Sequence, residues 1–489
     1  MTSTGVKVRS GIKWIGLAQG VARGIQFLST MVLARLLSPE MFGLVAMANV
    51  SITVIATLRN VGLADAYVQR EASSDAELRL AGQTSFYLAF AANALLFVVA
   101  SWGAPLIADF FRSVEVVPLL RVLLLGLILD AIGTGPAMIL RRQLDFRALG
   151  LGRIAASSVY SGVAVSFALA GHGVWSLVYG QLTSQLVRVV WLYAVSGWRP
   201  KLEFSTSIAR QLFGFGKYLW AFGMLSAVGG ALDRMLVGRA LGSAALGVYH
   251  MGSNLANLPS TQISELVNRV TFPAYARMQG NPAQMLGAFR KALSHVAIVS
   301  LPLAFGILAV AVELIGTVYG DKWAAAVPVV QILGFYGMTL SISSVSGPVF
   351  TATGRTHVLL YTSIVHHAVL LPLLLLLSPY GVVGIAWAVV VPVVVSAIIA
   401  FVLVVRYLDT NFRVVLEPVL RSGLAALIMY GVLYAARHSL QSFDLWVPLQ
   451  LGLLSALGAI VYVLASLVVN RVEFRAFLTT AKQLLRPGD

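Results

Sequence analysis

The stretch MVLARLLSPEMFG, residues 31–43, decides how this chain is read, because a second stretch, MLVGRALGSAALG, residues 235–247, repeats it. Met31, Arg35, Leu37 and Gly43 fall on Met235, Arg239, Leu241 and Gly247 at the single displacement that carries 31 to 235. Working outward at that displacement, Lys13 falls on Lys217, Leu28 on Leu232 and Met47 on Met251. Farther along, VPLLRVL (117–123) is echoed by VPVVQIL (327–333) and Gly135-Pro136 by Gly347-Pro348, the displacement having grown by a few residues. A collinear series of matches marks an internal repeat. Inside the first copy, Ser38 is a helix cap, Pro39 suits the first helical position and Glu40 complements the helix dipole. Arg35, beside this turn, reads as structural or interfacial.

What separates the copies is apolar sequence. Of 489 residues, 58% are hydrophobic and 11% charged, where a soluble domain carries roughly 25% charged residues. Runs of about 20 apolar residues, each long enough to cross ~30 Å of hydrocarbon, recur from end to end. The alternation of a β-barrel in runs of about 10 residues is absent. The fold class expected is therefore all-α integral membrane, with about 14 transmembrane helices. Their positions are roughly 11–36, 41–62, 80–103, 116–140, 149–170, 174–195, 212–238, 244–268, 292–313, 324–350, 357–377, 380–405, 418–436 and 446–469. Six spans precede the second copy. Because six is even, both copies enter the membrane in one direction and form parallel repeats about an axis along the membrane normal. The expected organisation is an N-lobe over residues 1–206, a C-lobe over 207–410, and helices 13 and 14 with a cytoplasmic tail over 411–489. A central cavity is expected between the two six-helix lobes.

The net charge of +16 invites a nucleic-acid reading, but its placement argues against one. Lys7, Arg9 and Lys13, the run Arg141, Arg142 and Arg147, and the pair Arg290 and Lys291 all fall on one side of the expected topology. Arg471, Arg475 and Lys482 fall there too, while the opposite segments hold only Arg35, Arg112, Arg239, Lys322 and Arg437 as basic residues. This is the positive-inside bias, and it places both termini in the cytoplasm. No cysteine is present, so thiolate metal sites and Cys nucleophiles are excluded. The first apolar stretch is broken by Arg23 and lacks a small-residue cleavage site, so it reads as a retained helix rather than a signal peptide. No Walker A, zincin or nucleophile-elbow motif stands in a sensible context. His366 and His367 are adjacent on one helix and point to different faces, so no metal site is expected.

Polar residues inside lipid are costly and face a bundle interior or a water-filled cavity. Gln19, Arg23, Gln26 and Thr30 follow one another at i, i+4, i+7 and i+11, within about 60° on a helical wheel. Asn49, Thr53, Thr57 and Asn60 form a second single-faced stripe. The repeat displacement carries these four onto Ser253, Asn257, Thr261 and Ser264, all polar. It carries the first stripe onto Gly223, Ala227, Gly230 and Arg234, three small residues and an arginine. Arg23 and Arg234 thus lie on equivalent faces, ~16 Å apart in depth. Arg121, whose repeat partner is Gln331, is placed to face the cavity from the outer side. Arg188 follows Gln181, Ser184 and Gln185 on one face and is placed to line its inner half. Asp130, Asp233 and Glu265 are the carboxylates placed to pair with these arginines or to couple an ion. Pro259 and Pro302 fall inside helices and are expected to bend them. Small and polar residues also glue membrane helices together, so the stripes carry weight as a matched set rather than singly.

Arginine suits phosphate because it keeps its charge and bonds in a bidentate fork; amides and hydroxyls suit sugars. A lipid-linked sugar diphosphate offers both. A small organic cation would call for carboxylates and aromatic rings instead. The segments VLARLLSPEMFGLVAMANV (32–50), LRNVGLADAYVQR (58–70), LDRMLVGRALGSAALGVYHMG (232–252) and VTFPAYARMQ (270–279) resemble the bacterial polysaccharide exporters of the multidrug/oligosaccharidyl-lipid/polysaccharide superfamily. Within it they are similar to the lipopolysaccharide- and colanic-acid-type (Wzx-like) flippases. The resemblance covers nearly the whole chain. It implies a MATE-like, two-lobed, 14-helix inner-membrane protein that flips undecaprenyl-diphosphate-linked oligosaccharide repeat units by alternating access. It further implies no cofactor, a proton or sodium gradient as driving force, and a polysaccharide polymerase and export machinery as partners. The quoted motifs are turns and helix ends, so they assign no substrate residue. A cation-coupled drug exporter of the same fold, and a membrane glycan polymerase or acyltransferase, are the competing readings.

Overall fold

The computed structural model describes residues 3–58, 74–210, 224, 227–440 and 445–485. Among these residues the chain is all-helical, with no strand. Nine stretches of the described residues are long and apolar enough to cross a membrane, one of them, His357–Tyr407, long enough to do so twice. The chain is a multi-pass membrane protein. Its residues pack into two compact units, Met1–Gly247 and Val248–Asp489.

The first unit contains α1 (Ser3–Leu36), α2 (Pro39–Thr57), α3 (Asp75–Phe111), α4 (Val116–Leu123), α5 (Leu125–Arg142), α6 (Phe146–Leu169) and α7 (Trp175–Ser196). It ends within α8 (Leu232–Ala276). The turn at the opening motif follows from local chemistry. Ser38 is extended and its hydroxyl accepts from the Met41 amide, with Pro39 at the helix start and Glu40 in the first turn. The second copy turns by other means. Gly242, which the repeat aligns with Ser38, breaks α8 at φ 85°, ψ −177°, a conformation open essentially to glycine alone. The two copies then meet. A Cβ on Gly43 would overlap the Ser243 carbonyl, and a Cβ on Gly247 would overlap the Pro39 carbonyl. The repeated glycine is therefore a requirement of backbone-to-backbone packing. Arg239, the repeat partner of Arg35, donates to the Phe110 carbonyl at 2.9 Å and lies over the Phe110 ring.

The second unit runs through α9 (Pro282–Ala309), α10 (Ala311–Val318), α11 (Val327–Ser343), α12 (Ser346–Ala352), α13 (His357–Leu377) and α14 (Gly381–Tyr407). It closes with α15 (Phe412–Leu440), α16 (Val447–Val469) and α17 (Arg471–Leu485). Its internal pairing follows the pattern of the first unit. There α3 packs on α5, α6 on α7 and α5 on α7; here α9 packs on α11, α13 on α14 and α11 on α14. In addition, α15 packs along α9 and α16 along α15. One apolar core, centred on Phe289, Phe350, Leu293 and Val404, holds these helices together.

Several helices contain proline, and proline leaves the carbonyl four residues back without its intrahelical donor. In hydrocarbon such a carbonyl must find another partner. Three do so through side chains of other helices. The carbonyl freed by Pro105, that of Ser101, accepts from Arg121 Nε at 3.2 Å. The carbonyl freed by Pro136, that of Ile132, accepts from the Tyr193 hydroxyl at 3.2 Å. The carbonyl freed by Pro302, that of Ile298, accepts from the Tyr462 hydroxyl at 2.9 Å.

Candidate functional site

The polar stripe on α7 is joined to Asn49 of α2 and to Asp130 of α5. Gln181, Gln185 and Arg188 sit at i, i+4 and i+7, hence on one helical face. Gln181 and Asn49 of α2 form a reciprocal amide pair, Gln181 Nε2 to Asn49 Oδ1 at 3.2 Å and Asn49 Nδ2 to Gln181 Oε1 at 3.4 Å. One turn on, Gln185 Oε1 is buried without a hydrogen-bond partner, against a bare α5 glycine whose Cβ would lie 2.5 Å away. That glycine is Gly126, and its missing side chain is what lets the amide reach this position. At the end of the stripe, Arg188 Nη2 donates to Asp130 Oδ1 of α5. Both groups keep substantial exposure, 45% and 30% of their side chains, so the guanidinium remains open to a further acceptor.

The remaining expected residues are distributed as follows. On α1, Gln19, Arg23 and Thr30 are half-buried and Gln26 is exposed, with the Thr30 hydroxyl donating to the Gln26 carbonyl. On α2, the hydroxyls of Thr53 and Thr57 donate to their own helix, at the Asn49 and Val54 carbonyls. Asp233 and Arg234 are half-buried in the first turn of α8. Arg121 is exposed and held to the Ser101 carbonyl, which gives it a structural task. Its repeat partner Gln331 does the equivalent for the Leu308 carbonyl at 3.4 Å, near the end of α9. In the second unit, Ser253 is buried and donates to the His250 carbonyl, while Asn257 Oδ1 is buried with no partner. Asn60, and the side chains of Thr261 and Glu265, lie outside the described residues. Among the described residues, no group of three or more His, Asp or Glu is arranged to hold a metal ion.

Two features were not singled out from sequence. An apolar groove of about 490 Å³ in the second unit is lined by Pro302 and Gly306 of α9, Met429 of α15, and Leu454, Gly458 and Tyr462 of α16. A cavity of about 590 Å³ lies between α11, α12, α13 and α14 and is rich in serine. Its sequence signal was the run SISSVS at 341–346, which on its own reads as helix–helix glue.

The family described as polysaccharide biosynthesis protein matches residues 32–328. The teichuronic acid biosynthesis protein TuaB of Bacillus subtilis is 27% identical over 495 aligned residues, covering 100% of this chain and 99% of its own length. The succinoglycan biosynthesis transport protein ExoT of Rhizobium meliloti is 27% identical, covering 97% of this chain and 96% of its own. Among solved structures, the lipid II flippase MurJ in an inward closed conformation superposes with a TM-score of 0.76 at 12% identity, over 94% of this chain and 98% of its own. At that identity the likeness speaks for the fold.

Proposed function

The chain belongs to the family of polysaccharide biosynthesis proteins, and from that premise we propose that it flips undecaprenyl-diphosphate-linked oligosaccharide repeat units across the bacterial inner membrane for surface polysaccharide export. It is a transporter rather than an enzyme. It works by alternating access of two six-helix lobes, residues 1–206 and 207–410, with two further helices over 411–489, fourteen spans in all and both termini in the cytoplasm. The names of TuaB and ExoT, tied to polysaccharide biosynthesis and transport, support this cargo.

The observation that carries the reading is the α7 face. Amides at Gln181 and Gln185 and a guanidinium at Arg188 stand inside an otherwise apolar bundle, joined by Asn49 and Asp130. Guanidinium binds diphosphate oxygens in a fork, and amides pair with sugar hydroxyls in both directions. With Arg23, Arg234 and the α1, α2 and α8 stripes, this face binds the phosphorylated glycan head. The groove beside Pro302 and Tyr462 is almost wholly apolar and matches the prenyl chain that such a cargo carries in the bilayer. A proton or sodium gradient drives the cycle through Asp130, Asp233 or Glu265. A ligand shifts a two-state transporter only through its different affinity for the two states, and carboxylates beside the cationic groups meet that need. A polymerase and export machinery receive the flipped repeat.

The test is accumulation of lipid-linked repeat in cells lacking the gene and complemented with variants. Wild type should clear the precursor from the inner leaflet, while Arg23→Ala with Arg188→Ala should let it accumulate. Normal clearance with both arginines removed would overturn the site. Loss of drug resistance without precursor accumulation would favour the drug-exporter reading.

A further inference from the structure

The serine-lined cavity of the second unit lies beside a glycine-proline pair that the first unit also carries. Gly135-Pro136 of α5 corresponds to Gly347-Pro348 of α12. In the first unit this place is plugged. A Cβ on Gly135 would lie 2.5 Å from the Trp198 ring, and Tyr193 spends its hydroxyl on the Ile132 carbonyl. In the second unit it is open. A Cβ on Gly347 would meet only Leu359, at 3.9 Å. The stretch GVWSLVYG (173–180) aligns with GVVGIAWA (381–388), which brings Tyr193 onto Phe401, a side chain with no hydroxyl to spend.

The space left is about 590 Å³, within the range of ordinary small-ligand pockets. Its chemistry is unusual for an apolar bundle. Ser264, Ser346 and Ser396 are among its lining residues, and their hydroxyl oxygens are enclosed in the wall without a hydrogen-bond partner; Ser346 is 1% exposed. Buried hydroxyls without partners are costly, and a ligand that reached them would relieve that cost. Ser343, Ser344 and Thr362 donate their protons to their own helices and so present free lone pairs. His366 adds an imidazole to the wall. Among the described residues, no Asp, Glu, Lys or Arg lines the cavity. A charged ligand would lose its hydration there with no opposite charge in return. A neutral ring carrying hydroxyls matches serine and threonine side chains of this kind, because each of its hydroxyls both donates and accepts.

We propose that this cavity is a binding subsite for an uncharged sugar residue of the transported glycan. The proposal rests on the flippase reading above and extends it: the second unit reads the sugar, by hydroxyls alone, as a task separate from holding the diphosphate. The cavity lies toward the α12–α13 junction that carries Arg355, the end that the positive-inside bias assigns to the cytoplasm, where the glycan is loaded.

The test uses full-length protein in proteoliposomes with two probes, a prenyl diphosphate bearing a neutral trihexose and the same prenyl diphosphate bearing no sugar. Translocation is read by access to an impermeant glycosidase or phosphatase. The variant is Ser346→Ala with Ser396→Ala, which removes two hydroxyls and adds no bulk; its thermal midpoint is checked against wild type. The expected result is a loss of about tenfold for the glycan-bearing lipid with the bare lipid unaffected. Equal loss for both lipids, no loss for either, or a joint loss that added sodium restores would overturn the proposal, the last by marking a cation site. Wild type moving neither lipid would refute the flippase reading instead. The subsite is then decided by saturation-transfer NMR with methyl α-glucopyranoside. A signal in wild type that the double variant lacks supports it, and no signal in wild type rejects it.

Discussion

Gly43 lays its bare Cα against the backbone carbonyl of Ser243, and no side chain fits between them. The reciprocal approach, Gly247 to the Pro39 carbonyl, makes the two copies of the opening motif a matched pair of close contacts.

Backbone cannot swing aside as a side-chain tip can, so Gly43→Ala or Gly247→Ala must push helices apart. The expected cost is about 1–3 kcal/mol, in line with overpacking elsewhere. Thermal unfolding of the purified protein in detergent reads it. Gly24→Ala is the control. Nothing stands within 4 Å of a Cβ there, and the change should be neutral or slightly stabilising, since alanine favours the helix. Equal midpoints for Gly43→Ala and Gly24→Ala would refute the close approach.

The proline-carbonyl pairs give a sharper prediction because they can be closed as a cycle. Tyr193→Phe strands the Ile132 carbonyl and should cost about 1 kcal/mol or somewhat less. Pro136→Ala restores the missing N–H donor. In that background Tyr193→Phe should cost nothing measurable, because the carbonyl is already satisfied. Tyr462→Phe with Pro302→Ala should behave alike in the second unit. Additive costs in either pair would show that the hydroxyl contributes by packing, not by capping the freed carbonyl.

These pairs also show where sequence reading stops. The turn at Ser38-Pro39-Glu40 was legible because a cap, a first-turn proline and a dipole charge act over four adjacent residues. The multi-pass helical class was legible from length and hydropathy, and the stripe Gln181–Gln185–Arg188 from helical period alone. Nothing local says that Arg121 will spend its Nε on Ser101, or that Tyr193 will reach Ile132, 61 residues away in the chain. Such bonds depend on which helix lies beside which. The second unit's cavity was hidden for a related reason. Serines in membrane helices look alike in sequence whether they bond their own backbone, as Ser344 does, or have no partner, as Ser346 does.

Arg188 and Asp130 separate a stability role from a transport role. Both side chains are partly exposed, and Asn in place of Asp130 keeps a carbonyl oxygen that can accept from Arg188. Asp130→Asn should therefore leave the thermal midpoint near wild type. Arg188→Ala should nonetheless raise the lipid-linked precursor in cells several-fold. Arg188→Lys should restore transport only in part, because an ammonium keeps the charge but loses the two-pronged geometry that phosphate favours. Full rescue by lysine would mean that only net charge matters at this position, and an unchanged precursor level in Arg188→Ala would remove Arg188 from the site.

Glu313 of α10 and Arg437 of α15 make the opposite case. Arg437 Nε donates to Glu313 Oε1 at 2.6 Å, and the carboxylate is almost fully enclosed, its side chain 5% exposed against 22% for the arginine. Removing Arg437 alone strands a buried charge, for which a loss of about 3–5 kcal/mol is expected. Replacing both partners by apolar residues removes the charge along with its partner, and such exchanges are often neutral or stabilising. Arg437→Leu should therefore unfold at a clearly lower temperature than Glu313→Leu combined with Arg437→Leu, measured by thermal denaturation in the same detergent. The order of the two variants decides the matter. If the double variant is as unstable as the single one, the pair holds α10 to α15 through shape and bonding geometry, and the stranded-charge account of Glu313 fails.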